Sequence, residues 1–228
     1  MRIAEIFFSI QGEGRLTGVP SAFIRTSGCN LRCVWCDSPY TSWAPEGDTL
    51  SVEQIFKWIA AFPTRHAVIT GGEPLISADV EEVAAGLRER GYHITVETAA
   101  TVFKPLACDL ASLSPKLSNS VPREREGGRY ALKHNQLRLR PDVIQAFIDR
   151  YDYQLKFVID QPVDLGELQG VLERLRGVDP ARVLLMPQGV TREEIRERTG
   201  WIVAACKTHG FRYCPRLHIE LFGNTRGT

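Results

Sequence analysis

The sequence predicts a single α/β domain built as a partial or modified (β/α) barrel. Three observations predict it. Strand-length apolar runs alternate with amphipathic helical runs along most of the 228 residues, which is the pattern of parallel β/α units. The chemically interesting residues follow predicted strands, where a (β/α) barrel gathers its site: Gln11, Cys29, residues 71–73, Glu97, residues 114–116, Lys156 and residues 186–189. No G-x-G-x-x-G follows a strand, which counts against the alternative, one doubly wound sheet.

In chain order, residues 2–9 read as a first strand, ended by Gln11-Gly12-Glu13-Gly14, whose glycines allow a turn or close ligand approach. Residues 21–26 form a second strand containing Arg25, which needs an anionic partner if it points inward. A helix is expected over 50–62, with Ser51 and Gln54 at capping-box spacing. A short buried strand ends Thr70-Gly71-Gly72-Glu73-Pro74, and a helix over 78–90 turns Val80, Val83, Ala84 and Leu87 to one face. Strands over 93–97 and 106–113 follow, the second ending Ser114-Pro115-Lys116. Residues 117–140 hold no clean period and are rich in Arg, Gly, Ser and Asn, so a mobile basic excursion is expected there. Then come a helix over 141–150, a strand over 154–159 and a helix over 164–176 with Leu165, Leu168, Leu172 and Leu175 inward. A strand over 182–185, a helix over 192–207 and a last extended stretch near 212–217 complete the chain.

The composition narrows the function classes. With 43% hydrophobic and 24% charged residues the chain is an ordinary globular protein, long enough for a sizeable core. A net charge of +1 gives no global reason for a nucleic-acid or membrane-surface partner. No apolar run approaches the roughly 18 residues of a membrane span, and the first residues lack the pattern of a signal peptide. Six cysteines, three of them clustered, fit a reducing compartment, and a cytoplasmic location is expected.

That cluster is the strongest chemical signal. Cys29, Cys33 and Cys36 stand in a C-x3-C-x2-C spacing, one ligand short of a closed zinc site or a four-cysteine iron–sulfur cluster. Three readings follow: three ordinary cysteines, a structural zinc with a distant fourth ligand, or a 4Fe-4S cluster on three thiolates. Zinc is disfavoured because Cys108, Cys206 and Cys214 are scattered and form no second pair. In the third reading the fourth iron is open to bind a small molecule.

C-x3-C-x-aromatic-C, with Trp35 in the aromatic place, resembles the signature of the radical S-adenosylmethionine (radical SAM) enzymes, and residues 70–74 resemble their GGEP motif. The resemblance implies a radical SAM-type barrel, a 4Fe-4S cluster on Cys29, Cys33 and Cys36, and S-adenosylmethionine chelated to the open iron. Reductive cleavage then gives a 5′-deoxyadenosyl radical. Within that superfamily the whole chain resembles the 7-carboxy-7-deazaguanine synthases of the queuosine and 7-deazapurine pathway. Ile10-Gln11-Gly12-Glu13-Gly14 is similar to the family's IQGEG, and Cys36-Asp37-Ser38 to its C-D-T/S. Ser114-Pro115-Lys116 is similar to its S-P-K, and residues 217–224 to its L-H-x-x-x-x-G-N ending.

Carried onto this chain, the resemblance assigns Ile10, Gln11, Gly12, Glu13, Arg25, Thr70 and Thr228 to the substrate. It assigns Gly72, Glu73, Glu97, Ser114, Pro115, Lys116, Met186, Pro187, Gln188 and Gly189 to the cofactor, and Ser38 to a Mg²⁺ ion, for which a hydroxyl oxygen is a suitable hard ligand. Met186 stands where the family usually has glutamine; a thioether cannot repeat a glutamine's hydrogen bonds, so only the backbone role carries over. The implied reaction converts 6-carboxy-5,6,7,8-tetrahydropterin to 7-carboxy-7-deazaguanine with loss of ammonia. A flavodoxin-like or other low-potential reductant and a homodimer are the family expectations, with no direct nucleic-acid or membrane partner. Two alternatives are a glycyl-radical activating enzyme and, from a different class, a zinc-stabilised binding protein without catalysis.

Overall fold

A computed structural model describes residues 1–228. Strand β1 (Arg2–Ile10) pairs antiparallel with β2 (Pro20–Thr26). The cysteine loop and the short α1 (Pro39–Ser42) follow, and then β3 (Asp48–Thr49), which pairs antiparallel with β1. From β2 onward every pairing is parallel, through β4 (His66–Gly71), β5 (His93–Thr98), β6 (Leu110–Leu113), β7 (Tyr153–Ile159), β8 (Val183–Pro187) and β9 (Arg212–Tyr213). The sheet order is β3-β1-β2-β4-β5-β6-β7-β8-β9, with no pairing between its ends. The expected barrel is therefore partial: an open parallel sheet whose N-terminal edge is extended by an antiparallel pair.

The crossover helices are α2 (Val52–Ile59), α3 (Val80–Glu89), α4 (Ala131–Leu137), α5 (Pro141–Arg150), α6 (Asp164–Leu172) and α7 (Arg192–His209), and α8 (Leu217–Phe222) follows β9. Local chemistry sets their ends. Ser51 and Gln54 close the expected capping box on α2, Thr191 and Glu194 close another on α7, and Gly210 ends α7 at φ +70°, where a side chain would be strained.

The pleat of the parallel strands sorts the two faces of the sheet. Ala22, Ile24, Ala67, Ile69, Ile94, Val96, Ala111, Leu113, Leu155, Phe157, Val183 and Leu185 point to the helices and form the main core. The alternate set faces inward. Its apolar members gather in small clusters, Phe7, Phe23 and Val68 in one and Val158, Leu184 and Met186 in another. Arg25, Thr70, Glu97, Ser114 and Lys156 line a cavity at the carboxyl ends of the strands. Both faces of β7 are buried, which is why these strands read as near-continuous apolar runs broken only by the inward polar residues.

Three sequence expectations are corrected. The strand expected over 106–113 shrinks to β6, because both backbone groups of Leu106 go to the Tyr151 hydroxyl, at 3.0 and 3.1 Å, instead of a ladder. The extended stretch near 212–217 is two residues of β9, and the chain then turns into α8. Residues 117–140 are not an excursion: they carry short 3-10 turns at Ser118–Ser120 and Arg125–Gly128 and the helix α4. Their order comes from long-range hydrogen bonds to the cysteine loop, which leave no periodic trace in sequence.

Candidate active site

β2 delivers the chain directly into the cysteine loop. The loop is pinned by backbone contacts: Gly28 N–H donates to Thr41 O (2.9 Å), Glu73 N–H to Gly28 O (2.9 Å) and Cys36 N–H to Cys33 O (3.3 Å). A Cβ on Gly72 would lie 2.2 Å from Gly28 O and 2.8 Å from the Cys29 Cβ. The double glycine thus lets the β4 turn press against the cysteine loop. Cys29, Cys33 and Cys36 all face one cavity of about 470 Å³, and none is in a disulfide. Burial pushes the Cys29 thiol up to about 12, against the Leu31 N–H that bonds it, and burial does the same to Cys33. A thiophilic metal must displace these protons to bind.

The 118–137 segment forms one wall of the loop. Val34 N–H donates to Ser120 O (2.9 Å), the Trp35 indole N–H to Asn119 O (3.0 Å) and the Arg125 guanidinium to Val34 O (3.1 Å). At its centre Arg32 N–H donates to Nδ1 of the buried His134 (3.0 Å), so the proton of His134 sits on Nε2, 2.9 Å from Ser120 Oγ. The Ser120 hydroxyl donates in turn to Leu117 O (2.6 Å). Burial, with Arg138 and Lys116 nearby, lowers the His134 pKa from 6.5 to about 4. The sign follows from proton binding: unfolded chains take up protons first on acidification, so this stability is present above pH 6.5 and declines as the pH falls toward about 4. His134→Ala is expected to cost about 1–3 kcal/mol, the desolvated Arg32 N–H losing its acceptor. In His134→Gln, thermal melts between these pH limits should lose the imidazole's share of the acid dependence; an unchanged pH profile would discount the clamp.

The opposite wall is a charged network buried between β7, the first turn and the C-terminal segment. Glu13 accepts from the Lys156 ammonium and, at 3.1 Å, from Arg216 Nε. Arg216 also donates to Asp37 and to Gly189 O. Burial alone would push the Glu13 carboxyl up, but Lys156, Arg216 and His218 outweigh it and hold it well below the usual carboxylate range. Lys156 is correspondingly raised, Glu13 and Glu97 overcoming its burial. Gly12 and Gly14 make this packing possible: a Cβ on Gly12 would strike the His218 ring at 2.1 Å, and one on Gly14 the Gln154 amide at 2.3 Å. Gln11 donates to Glu97 (3.2 Å), and Thr70 Oγ1 donates to the other Glu97 oxygen (2.8 Å). Arg25 has the partner an inward arginine needs, the Glu5 carboxylate at 2.6 Å.

Of the residues singled out in the sequence, Cys29, Cys33, Cys36, Ile10, Gln11, Gly12, Glu13, Arg25, Ser38, Thr70, Gly72, Glu97, Ser114, Lys116, Met186 and Thr228 line the one cavity. Five others do not. Glu73 is fully buried beneath the turn, accepting from Thr98 Oγ1 (2.7 Å), Ala99 N–H (2.9 Å) and Leu75 N–H (3.2 Å), so its carboxylate braces the loop. Pro187 falls on the opposite side of the β8 pleat from Met186, and Pro115, in the stretch that follows β6, does not line the cavity. Gln188 bonds Ile159 through its backbone, and Gly189 serves as an acceptor for Arg216. Sequence reasoning missed Arg216 as a site residue altogether; it stands 203 positions from Glu13, and no local motif marks it.

The donor set fits a thiolate-held cluster with an adjacent small-molecule pocket: three free thiols on one loop, a glycine-thinned turn behind them and a mixed polar and apolar cavity in front. The radical SAM superfamily profile matches residues 23–120. The chain thus has the open β/α sheet and cysteine loop of a radical SAM protein. It is 42% identical over 236 residues to the 7-carboxy-7-deazaguanine synthase of Halobacterium salinarum, covering 99% of this chain and 92% of that one. It is 44% identical over 227 residues to that of Rhodopirellula baltica, covering 99% and 88%. The chain belongs to the 7-carboxy-7-deazaguanine synthase family, which sets aside the glycyl-radical activating alternative. In fold it matches the crystal structure of QueE from Escherichia coli, with a TM-score of 0.70 at 24% identity, over 95% of this chain and 94% of that one.

Proposed function

We propose that this protein converts 6-carboxy-5,6,7,8-tetrahydropterin to 7-carboxy-7-deazaguanine with release of ammonia, in 7-deazapurine biosynthesis. The observation that carries the reading is the two-sided cavity, with three thiols on one wall and, on the other, a hydrogen-bonded polar wall from Gln11, Thr70, Glu97 and the Glu13 carboxylate that its cationic neighbours hold ionised. Cys29, Cys33 and Cys36 would hold the 4Fe-4S cluster. The Gly72 turn, Glu97, Ser114, Lys116 and Met186 would border S-adenosylmethionine. When bound, the pair supplies a carbon radical that abstracts a hydrogen atom after one-electron reduction by a low-potential donor.

The chain's own residues supply recognition and order. Glu13, kept anionic by Lys156 and Arg216, offers acceptors to the ring N–H and amino groups of a pterin. Gln11 is held by Glu97 at 3.2 Å, and its oxygen accepts from Glu13 N–H at 3.0 Å. A site built on such fixed hydrogen bonds rejects analogues that lack them. Met186 sits in an apolar patch with Val158, Leu184 and Cys214, so where a glutamine would hydrogen-bond it offers dispersion contact instead. Arg226 and the last residues reach across the mouth, Arg226 stacking 4.1 Å above the Tyr40 ring.

Ser38 is proposed to ligate Mg²⁺ together with substrate and water oxygens, since Mg²⁺ commonly keeps few protein ligands. Its hydroxyl lies 3.3 Å from Asp37 Oδ1 at the cavity edge. An anaerobic assay of the cluster-bearing protein with S-adenosylmethionine, reductant and carboxypterin tests the whole reading; unchanged carboxypterin would sink it. In the same assay Ser38→Ala is expected to lose about tenfold in turnover and to need more Mg²⁺. A Ser38→Ala enzyme with the wild-type Mg²⁺ response would remove the ion from this residue. A homodimer is the family expectation and is checked by light scattering.

A further inference from the structure

Resting on the radical reading above, the surroundings of the three cysteine sulfurs carry a further assignment. The three differ. Leu31 N–H donates to Cys29 Sγ (3.3 Å), a backbone contact that any residue but proline would keep at position 31. Cys33 accepts through its carbonyl, from the Trp43 indole at 2.9 Å, and not through its sulfur. Cys36 Sγ stands 3.3 Å from the hydroxyl of Ser42, which ends α1, is 2% exposed and borders the cavity. That hydroxyl has no other partner. A serine late in a helix can bond back to the carbonyl four residues earlier. Here that carbonyl, Ser38 O, already accepts from Thr41 Oγ1 and from Thr41 N–H, both at 2.9 Å, which fills its two lone pairs. The other hydroxyl near Cys36, that of Ser38, is 4.0 Å from the sulfur and donates to Asp37 Oδ1 at 3.3 Å. Between a thiol and a hydroxyl either group can donate. A thiolate has no proton, so once Cys36 ligates iron only Ser42 can be the donor.

We propose that Ser42 tunes the reduction potential of the cluster by donating a hydrogen bond to the Cys36 thiolate. The potential of an iron–sulfur cluster depends on its net charge and on the hydrogen bonds its sulfurs accept. Reduction adds one electron, part of whose density falls on the ligating sulfurs. A hydrogen bond to an ionised acceptor is about twice as strong as one between neutral groups, so this donor favours the reduced, more anionic state over the oxidised one. The balance is one electron: the low-potential donor loses it, the cluster gains it, and no atom moves. The Ser42 proton stays on its own oxygen. Ser42 touches neither cofactor nor substrate in this role; it acts through Cys36. Of the two sulfur contacts from within the loop and α1, this one depends on a side chain, so it is the one a substitution can remove without breaking the backbone.

The test is an anaerobic redox titration of the cluster-bearing protein without substrate, with dithionite as reductant. The cluster is followed by visible absorbance and electron paramagnetic resonance. Ser42→Ala is expected to lower the ratio of reduced to oxidised cluster about tenfold at a given applied potential, a midpoint about 59 mV more negative for a one-electron couple. Iron content should match the wild type. Ser42→Thr keeps a hydroxyl on the same carbon and should restore the wild-type midpoint, and Ser38→Ala should leave it unmoved. A wild-type midpoint in Ser42→Ala would overturn the proposal. An equal shift in Ser42→Thr or in Ser38→Ala would also overturn it, since packing or local polarity would then be the cause. So would loss of iron from Ser42→Ala, which would make Ser42 a brace of the loop. A cluster-bearing wild type that leaves carboxypterin unchanged overturns the catalytic reading alone, because the midpoints are measured without substrate. A protein that takes up no cluster overturns both.

Discussion

Cys33→Ser is expected to abolish turnover, by more than about 100-fold, beyond what loss of an outer partner of a metal ligand usually costs. The physical reason is narrow. Serine keeps nearly the size of cysteine, so the buried position stays filled and the Trp43 bond to the residue's carbonyl is untouched. What changes is the donor atom, from a soft sulfur suited to iron–sulfur ligation to a hard, far less acidic oxygen. Fold and chemistry should therefore separate: the melting temperature without metal stays within a few degrees, while iron content, visible absorbance and turnover collapse. Cys29→Ser and Cys36→Ser should behave alike. Cys108→Ser is the control, because Cys108 lies against the main core and lines no part of the cavity. A Cys33→Ser protein with full iron and wild-type turnover would break the assignment of the cluster to this loop.

How much of this was legible in the sequence depends on the range of the interaction. The strands and their helices were readable because the pleat and the helical period write burial into neighbouring residues, as Val80, Val83, Ala84 and Leu87 show on α3. Both capping boxes act over three residues, and the one at Ser51 was visible directly. The cysteine loop was legible as chemistry, since three thiols in eight positions have few other uses. The roles of Glu73, Pro115 and Pro187 were not, because a motif names a stretch whereas the local backbone decides which of its side chains reach the cavity. The His134 clamp and the Arg216 hub escaped for the opposite reason. Each acts across 102 or more positions, and a lone histidine or arginine looks the same in sequence whether it faces water or a buried carboxylate.

The Arg216 hub also sets the second large effect. Glu13→Leu takes from the buried Lys156 its one ion-paired carboxylate and leaves only the more distant Glu97, whereas Arg216 keeps Asp37 and Gly189 O. Breaking one side of a buried pair costs about 3–5 kcal/mol, which for a chain of this length lowers the melting temperature by roughly 10 °C. Adding Lys156→Met removes the stranded charge and fills the space, so the double variant should recover most of that loss. Turnover is expected to stay lost in both, because the acceptors facing the pterin are gone either way. The signs of the two shifts predict the wild-type pH response. Glu13, lowered when folded, stabilises above the ordinary carboxylate range and loses this only as pH falls through its much lower folded value. Lys156, raised when folded, stabilises below the ordinary lysine range and loses it only as pH climbs past its higher folded value. The pair should thus contribute evenly in the wild type between about pH 5 and pH 10, whereas in Glu13→Leu burial holds Lys156 below the ordinary lysine range, so the stability difference narrows as rising pH lets the stranded lysine shed its proton. A double variant that regains turnover along with stability would show that Glu13 only braces the fold; recovery of the melting temperature alone places its carboxylate on the substrate.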